Sequence, residues 1–323
     1  MILRNMRQRY IELDEFSHLN NKNLGCGSSD KLWRESYYFN VSDKRSGLGL
    51  ITTIGILPNR KLITGFVIII KNNKVFFIKP LVEMKKPIFN NYSFIVKGLK
   101  YMIEGINWRL KYVSKDFCFN IQFSPINKIY PYITDKSDKV FSRIGSQHFE
   151  QFGIYQGEFA LKGEIITIGP CLGFRDHSWG IRDWSSVDYY KLYNCAFSRN
   201  FAFNLWLGSI NGNRFLKGYV FDGEDNIKLL DCKVQSIFFK NGKDPKGAKI
   251  WLMDIHKRCF RISCDTIISI PVPPRKSIVY ETIAKMKMNG NTGYGLQEYL
   301  YHEQNPVNRF CVFLKILSMA RVV

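Results

Sequence analysis

The stretch Gly65-Phe66-Val67-Ile68-Ile69-Ile70, Lys71-Asn72-Asn73, Lys74-Val75-Phe76-Phe77-Ile78 sets two short β-branched and aromatic runs on either side of an Asn-Asn pair. This is the pattern of a tight antiparallel hairpin. Similar runs follow at Tyr101 to Leu110, Cys118 to Phe123, Ala196 to Ile210, Arg214 to Phe221 and Ile250 to Ile255, each bounded by Gly, Asn, Asp or Pro. Asn211-Gly212 is a second hairpin signal, and Gly223 to Asn226 marks a looser turn. Strands at this spacing with no helical pattern between them predict barrels or sandwiches rather than a parallel α/β sheet. Helix is expected only at the end of the chain. Asn308 to Val323 places Phe310, Phe313, Leu314 and Leu317 on one side, with Arg309, Lys315 and Arg321 around it. That face is expected to pack on a barrel, with peripheral membrane contact as the alternative.

Length and composition agree with this reading. A chain of 323 residues fits two domains at the usual roughly 100–200 residues each. The division is expected after the motif-rich segment, within Val187 to Asn194, giving domains 1–190 and 191–323. Hydrophobic residues form 46% of the chain and aromatics 15%, which favours half-buried pleated surfaces. Lys and Arg number 47 against 27 acids, for a net charge of +20. Such a balance admits nucleic acid, an anionic membrane or an anionic substrate. No basic helix or basic-aromatic platform stands out, however, and the lysines sit beside Asn in turns, so a solvated surface without nucleic-acid binding is expected. Oligomeric state is open.

Cys26, Cys118, Cys171, Cys195, Cys232, Cys259, Cys264 and Cys311 form no CxxC and no zinc-type spacing with histidine. They read as buried, reduced thiols. With no apolar run of about 20 residues and no recognisable signal peptide at Met1-Ile2-Leu3-Arg4, a cytoplasmic protein is expected.

The densest polar cluster is Gly173-Phe174-Arg175-Asp176-His177-Ser178-Trp179-Gly180-Ile181-Arg182-Asp183-Trp184. If it is extended, Arg175, His177 and Trp179 share one face and Asp176 and Ser178 the other. An imidazole beside an indole in an apolar cavity suits acid-base work at carbon, because burial retunes proton affinity and a π-face steadies a cation. The alternative is an ion-pair and indole plug at one barrel end. Arg182, Asp183 and Trp184 are expected to be structural supports beyond a sharp turn at Gly180, with Asp183 pairing a guanidinium and Trp184 filling apolar space. In Gln147-His148-Phe149-Glu150-Gln151, His148 and Glu150 share a face. They either complete the acid-base set or satisfy each other within a sheet.

The order Trp33-x-Glu35-x-x-Tyr38, His148-Phe149-Glu150-Gln151, Gly173-x-Arg175-Asp176-His177-Ser178-Trp179-Gly180-x-Arg182-Asp183-Trp184, then Gly293-Tyr294-Gly295-x-x-Glu298-Tyr299 resembles bacterial proteins of the carotenoid 1,2-hydratase-like superfamily. The likeness runs from about Trp33 to Tyr299, and Asp-His-Ser-Trp-Gly is its most specific part. It implies two tandem lipocalin-like antiparallel β-barrels. It also implies a hydrophobic pocket in which an alkene of an isoprenoid or polyene is protonated and the cation is trapped by water or another alkene, with Asp176, His177, Trp179 and Gly180 matching the motif.

The hydratases' further carboxylate, sought on the following strand, has no counterpart in Phe201-Ala202-Phe203-Asn204-Leu205-Trp206. The chain also lacks Asp-rich terpene-synthase motifs, GxSxG, HExxH and a phosphate loop. The candidate catalytic residues are therefore His177, Asp176 and Glu150. The candidate binding residues are Trp179, Arg175, His148, Trp206, Phe203 and Asn204, with no metal or cofactor. Enzymatic hydration, cyclisation or isomerisation, a pericyclase and a non-catalytic carrier or sensor are the readings left open.

Overall fold

The structure, a computed structural model, describes residues 30–84, 93–115, 117–132, 147–240, 242–272 and 277–320. It is all-β, with two antiparallel lipocalin-like sheets in tandem and a short C-terminal helix. The main division between the two compact units falls between Arg182 and Asp183.

The first sheet is built from β1 (Trp33–Asp43), β2 (Leu48–Leu57), β3 (Leu62–Lys71), β4 (Lys74–Met84), β5 (Ser93–Val96), β6 (Leu99–Glu104), β7 (Asn107–Val113), β8 (Phe117–Pro125), β9 (Tyr130–Pro131), β10 (Gln147–Leu161) and β11 (Glu164–Ile181). Its path is β4-β3-β2-β1-β11-β10-β8-β7-β6-β5, with β9 on β10. The sheet curls round its own core. The Phe39 ring on β1 meets Tyr101 on β6 at 5.0 Å and Trp108 on β7 at 5.4 Å. The Tyr101 hydroxyl donates to Thr52 Oγ1 on β2 at 2.9 Å.

The second sheet is a closed barrel of β12 (Val187–Ser198), β13 (Phe201–Ile210), β14 (Asn213–Phe221), β15 (Asn226–Phe238), β16 (Pro245–Asp254), β17 (Cys259–Val272), β18 (Ser277–Met288) and β19 (Asn291–His302). The helix α1 (Pro306–Ala320) follows. Asn305 Oδ1 caps it by accepting from Val307 N at 2.9 Å. No helix among the described residues is long and apolar enough to cross a membrane.

The hairpin signals correspond to real turns. Asn72 and Asn73 have φ of 51° and 61°, and Asn211 and Gly212 have 49° and 77°, as the primed turns of twisted hairpins require. Two expected strands each prove to be two. Tyr101 to Leu110 is broken at Gly105, whose φ is 72°, and Ala196 to Ile210 is broken at Arg199-Asn200. Both turns lack a strong turn pair, so the apolar runs read through them.

Other expectations need correction. Cys195 and Cys264 are buried, but Cys118, Cys171 and Cys232 are half-buried and Cys259 and Cys311 are exposed, all as free thiols. Cys259 opens a strand next to a turn and Cys311 lies on the outer side of α1. Cys26 lies outside the described residues. On α1, Phe310, Phe313 and Leu314 are exposed rather than packed. The helix is instead held by polar contacts such as Lys315 Nζ to Asp244 Oδ2 at 2.6 Å. The Leu317 side chain and Arg321 lie outside the described residues.

Gly153 on β10 faces Gly173 on β11. A Cβ at Gly153 would lie 2.2 Å from the Phe123 ring, and one at Gly173 would lie 2.5 Å from Asn40 O and 2.6 Å from the Tyr155 ring. The missing side chains let those two rings lie flat on the sheet, and the Tyr155 hydroxyl then reaches Phe174 O at 2.7 Å. Gly173→Ala is therefore expected to cost about 1–3 kcal/mol through overpacking, read as a lower thermal midpoint with the circular-dichroism spectrum retained.

Candidate functional site

The motif segment lies in β11 between β1 and β10, and the register fixes who meets whom. His177 faces Tyr37 on one side and Phe149 on the other, and Asp176 faces Tyr38 and Glu150. Because neighbours on a strand point to opposite faces, two side-chain clusters form back to back.

The first face looks into the core of the unit. Glu35, Tyr37 and His177 are each 0% exposed. His177 Nε2 lies 2.9 Å from Glu35 Oε1, and the Tyr37 hydroxyl donates to the same oxygen at 2.9 Å. The imidazole stacks on Tyr37 at 3.9 Å, with Phe149 at 5.0 Å and Trp179 at 4.9 Å closing two other sides. One strand position along, the Arg175 guanidinium gives Nε and Nη2 to Gln151 Oε1 at 2.9 and 2.6 Å. It also lies within 5.7 Å of the Trp108, Phe123 and Phe149 rings. A carboxylate, an imidazole and a guanidinium thus sit in an aromatic interior, where each must be hydrogen-bonded to be tolerated.

The second face carries His148, Glu150, Asp176, Ser178, Ser36 and Arg182. His148 Nε2 lies 3.1 Å from Glu150 Oε1, and Glu150 Oε2 accepts the Tyr132 hydroxyl in a short bond. Burial, with Arg182 and His177 adding to it, holds the His148 imidazole well below its ordinary value, so it stays neutral. Arg182 donates to Ser178 Oγ and, at 3.3 Å, to Ser36 Oγ, and the two serines are 3.1 Å apart. Asp176 is half-buried, and among the described residues its carboxylate accepts no hydrogen bond. Burial pushes Asp176 up to about 7, against the pull of Arg182, His177, Arg34 and Arg175.

The structure thus joins Arg175, His177 and Trp179 on one face, and Asp176, Glu150 and His148 on the other. Asp176 and Glu150 are not brought to the imidazole of His177. Phe203, Asn204 and Trp206 lie on β13 of the second sheet: Phe203 in that barrel's core, Trp206 edge-on to Tyr190 at 5.6 Å, and Asn204 fully buried.

Gly180 has a φ of 122°, yet β11 runs on through Ile181, so the sharp turn is absent. Among the described residues Asp183 pairs no guanidinium. Its Oδ1 accepts from Ser185 N at 3.0 Å and caps the short turn Trp184–Ser186. Trp184 is only partly buried and lies 6.2 Å from the Tyr190 ring. Glu35 and Gln151 stand in the motif order of the sequence without an assigned role, and Tyr37 and Tyr132 do not stand out there. For Glu35 a signal existed: it occupies the inward position of the alternation Trp33, Glu35, Tyr37, Phe39, Val41, where a lone acid demands a partner.

A family model described as a domain of unknown function, DUF7064, matches residues 25–303. No curated protein matches. Among solved structures, a protein described as an AttH from Nitrosomonas europaea superposes with a TM-score of 0.63 at 12% identity, covering 86% of this chain and 95% of that one. Kievitone hydratase from Nectria haematococca gives 0.58 at 11% identity, with 83% and 88% covered. CghA, solved with Sch210972, gives 0.60 at 7% identity, with 85% and 90% covered. These likenesses establish the fold.

Asp176 supplies a pH signature. Its folded-state affinity for a proton exceeds the unfolded one, so stability falls as pH rises from 3.8 towards about 7. Asp176→Asn removes that loss. The midpoint of the variant, relative to the parent, is expected to be higher at about pH 8 than at about pH 4, measured by calorimetry in matched buffers.

Proposed function

We propose that this chain, which belongs to the DUF7064 family over residues 25–303, is an acid-base enzyme acting on an alkene of a hydrophobic, isoprenoid or polyene-type substrate. The observation that carries this reading is the sealed Glu35-His177 pair, 2.9 Å apart and walled by Tyr37, Phe149 and Trp179.

Such a pair can hold one mobile proton between Nε2 and Oε1. Delivered to an alkene carbon, the proton consumes the π bond and leaves a carbocation, while the pair becomes the conjugate base. The faces of Tyr37 and Trp179 steady the cation by about 0.5–2 kcal/mol each. The cation then loses a neighbouring proton back to the pair, which is isomerisation, or is captured by water or a second alkene, which is hydration or cyclisation. A hydratase with the same fold, kievitone hydratase, is consistent with this class of reaction. In this reading Asp176 and Glu150 act from behind the sheet, orienting β10 and β11, and Arg175 with Gln151 sets the polar limit of the pocket. Binding residues in the second sheet, Phe203, Asn204 and Trp206, are not required.

A second reading, a carrier that sequesters its ligand unchanged, rests on a separate observation: Phe201 to Trp206, on the strand sought for the hydratases' further carboxylate, holds no acid. Recovery of an unmodified stoichiometric ligand by native mass spectrometry, with no turnover, would favour it.

The test is incubation with a panel of linear prenyl and polyene substrates and analysis of products. Glu35→Gln and His177→Ala are each expected to lower turnover by about 10²-fold or more, with the fold retained. Full turnover in both would sink the assignment. Full loss in a folded Asp176→Asn, with Glu35→Gln active, would move the proton donor to the opposite face.

A further inference from the structure

The closed barrel of the second unit has one poorly sealed seam. β14 and β15 share only three register pairs, Tyr219 with Lys228, Val220 with Ile227 and Phe221 with Asn226. The other seams pair along most of their length. Beyond Gly218 the two strands part. Leu207, Leu216, Cys232 and Val234 pack against the barrel core, yet along this opening they remain only partly buried. Their partial exposure, together with the three-pair seam, points to an opening in the wall between β14 and β15.

A line of polar groups crosses the lumen at the entrance. Lys191 on β12 reaches Ser236 Oγ on β15 at 2.8 Å, and the Tyr299 hydroxyl on β19 donates to the same oxygen at 2.9 Å. Tyr193 shares a short bond with Tyr299. The Lys191 ammonium lies 5.3 Å from the Tyr299 ring and 5.9 Å from that of Phe238. Among the described residues no carboxylate pairs with it, and burial alone lowers its proton affinity. Deeper in, Gln297 is fully buried, and its Oε1 accepts the Cys264 thiol at 3.1 Å. A partly desolvated cation without a counter-ion calls for an anion brought from outside.

We propose that this seam and crossbar form a second small-molecule site, for an amphiphile with one carboxylate head and an apolar chain. Lys191 Nζ and the Tyr299 hydroxyl receive the head, and the chain lies along Leu207, Leu216, Cys232 and Val234. One ammonium and neutral hydroxyls suit a monoanion. A phosphate dianion would leave net negative charge inside an apolar barrel. The site is independent of the Glu35-His177 chemistry and lies on a different sheet.

The experiment is fluorescence titration of the full chain with dansyl-labelled undecanoic acid and, separately, its methyl ester. Expected results are saturable binding of the acid, weaker binding of the ester, and a loss of about tenfold or more for the acid in Lys191→Met with the ester unchanged. Lys191→Arg should stay within about threefold of the parent for the acid. Leu216→Trp, placed at the partly exposed seam where it is readily tolerated, should weaken both probes. Equal affinity for acid and ester, or parental acid affinity in both Lys191→Met and Leu216→Trp, overturns the proposal. So does loss of acid binding in His177→Ala alone, which would place the probe in the first unit.

Discussion

A carboxylate and an imidazole sealed from water must hold each other or be neutralised, and Glu35 and His177 do so at 2.9 Å across two adjacent strands. Much of the first unit follows from this constraint. The pair exists only in the register that sets Tyr37 opposite His177 and Glu35 opposite Trp179. A slip of one residue would turn Glu35 to the other face, beside the arginines, and leave the imidazole alone among rings. Tyr37 contributes twice, as the ring beneath the imidazole and as a hydroxyl on the Glu35 oxygen. Gly153 and Gly173 let the Phe123 and Tyr155 rings pack flat at the neighbouring level, so the interior closes without displacing the strands that carry the pair.

The opposite face of β11 obeys different electrostatics. There burial, with the nearby Arg182 charge adding to it, brings the Arg34 guanidinium down to about 9. The serine pair Ser36-Ser178 takes the Arg182 donors. Asp176 supplies the opposite charge without direct contact, and its rise to about 7 shows that partial burial outweighs several nearby cations. His148, Glu150 and Tyr132 form a separate chain of hydrogen bonds. One run of alternating residues therefore builds a dry acid-base pair on one side and a cationic, hydroxyl-rich cluster on the other. It does this because strand geometry sorts alternate side chains and not because the residue types are segregated in the sequence.

What was legible in the sequence followed from local rules. Asn72-Asn73 and Asn211-Gly212 announce their turns because few other residues accept two positive φ angles in succession. The facing of Arg175, His177 and Trp179 follows from the period of two. Gly105-Ile106 and Arg199-Asn200 were missed because the flanking apolar runs are continuous enough to mask a turn. Partners distant in sequence were missed for another reason. Glu35 meets His177 across 142 residues, and Gln151 meets Arg175 across 24, with no local spacing to signal either. Asp183 was expected to pair a guanidinium because charged neighbours suggest it. The nearest unsatisfied donor was instead the Ser185 amide, and a cap formed locally at little entropic cost. Phe203, Asn204 and Trp206 come soon after the motif in the chain, and the division after Arg182 places them on the second sheet.

The likeness to solved structures at 7 to 12% identity shows what such a fold constrains. A curled antiparallel sheet needs alternation, turn residues and volume, and very different sequences supply these. Reactivity needs particular groups in particular registers, so it is not carried by the architecture. The relevant quantity is the cost of each buried polar group in this chain. A core serving packing alone would be more cheaply made of leucine and phenylalanine than of Glu35, His177, Arg175 and Gln151, whose desolvation must be offset bond by bond. Two of these groups can exchange a proton, and the imidazole lies against three aromatic rings. The proton transfer we propose gives this cost a use that packing alone does not supply.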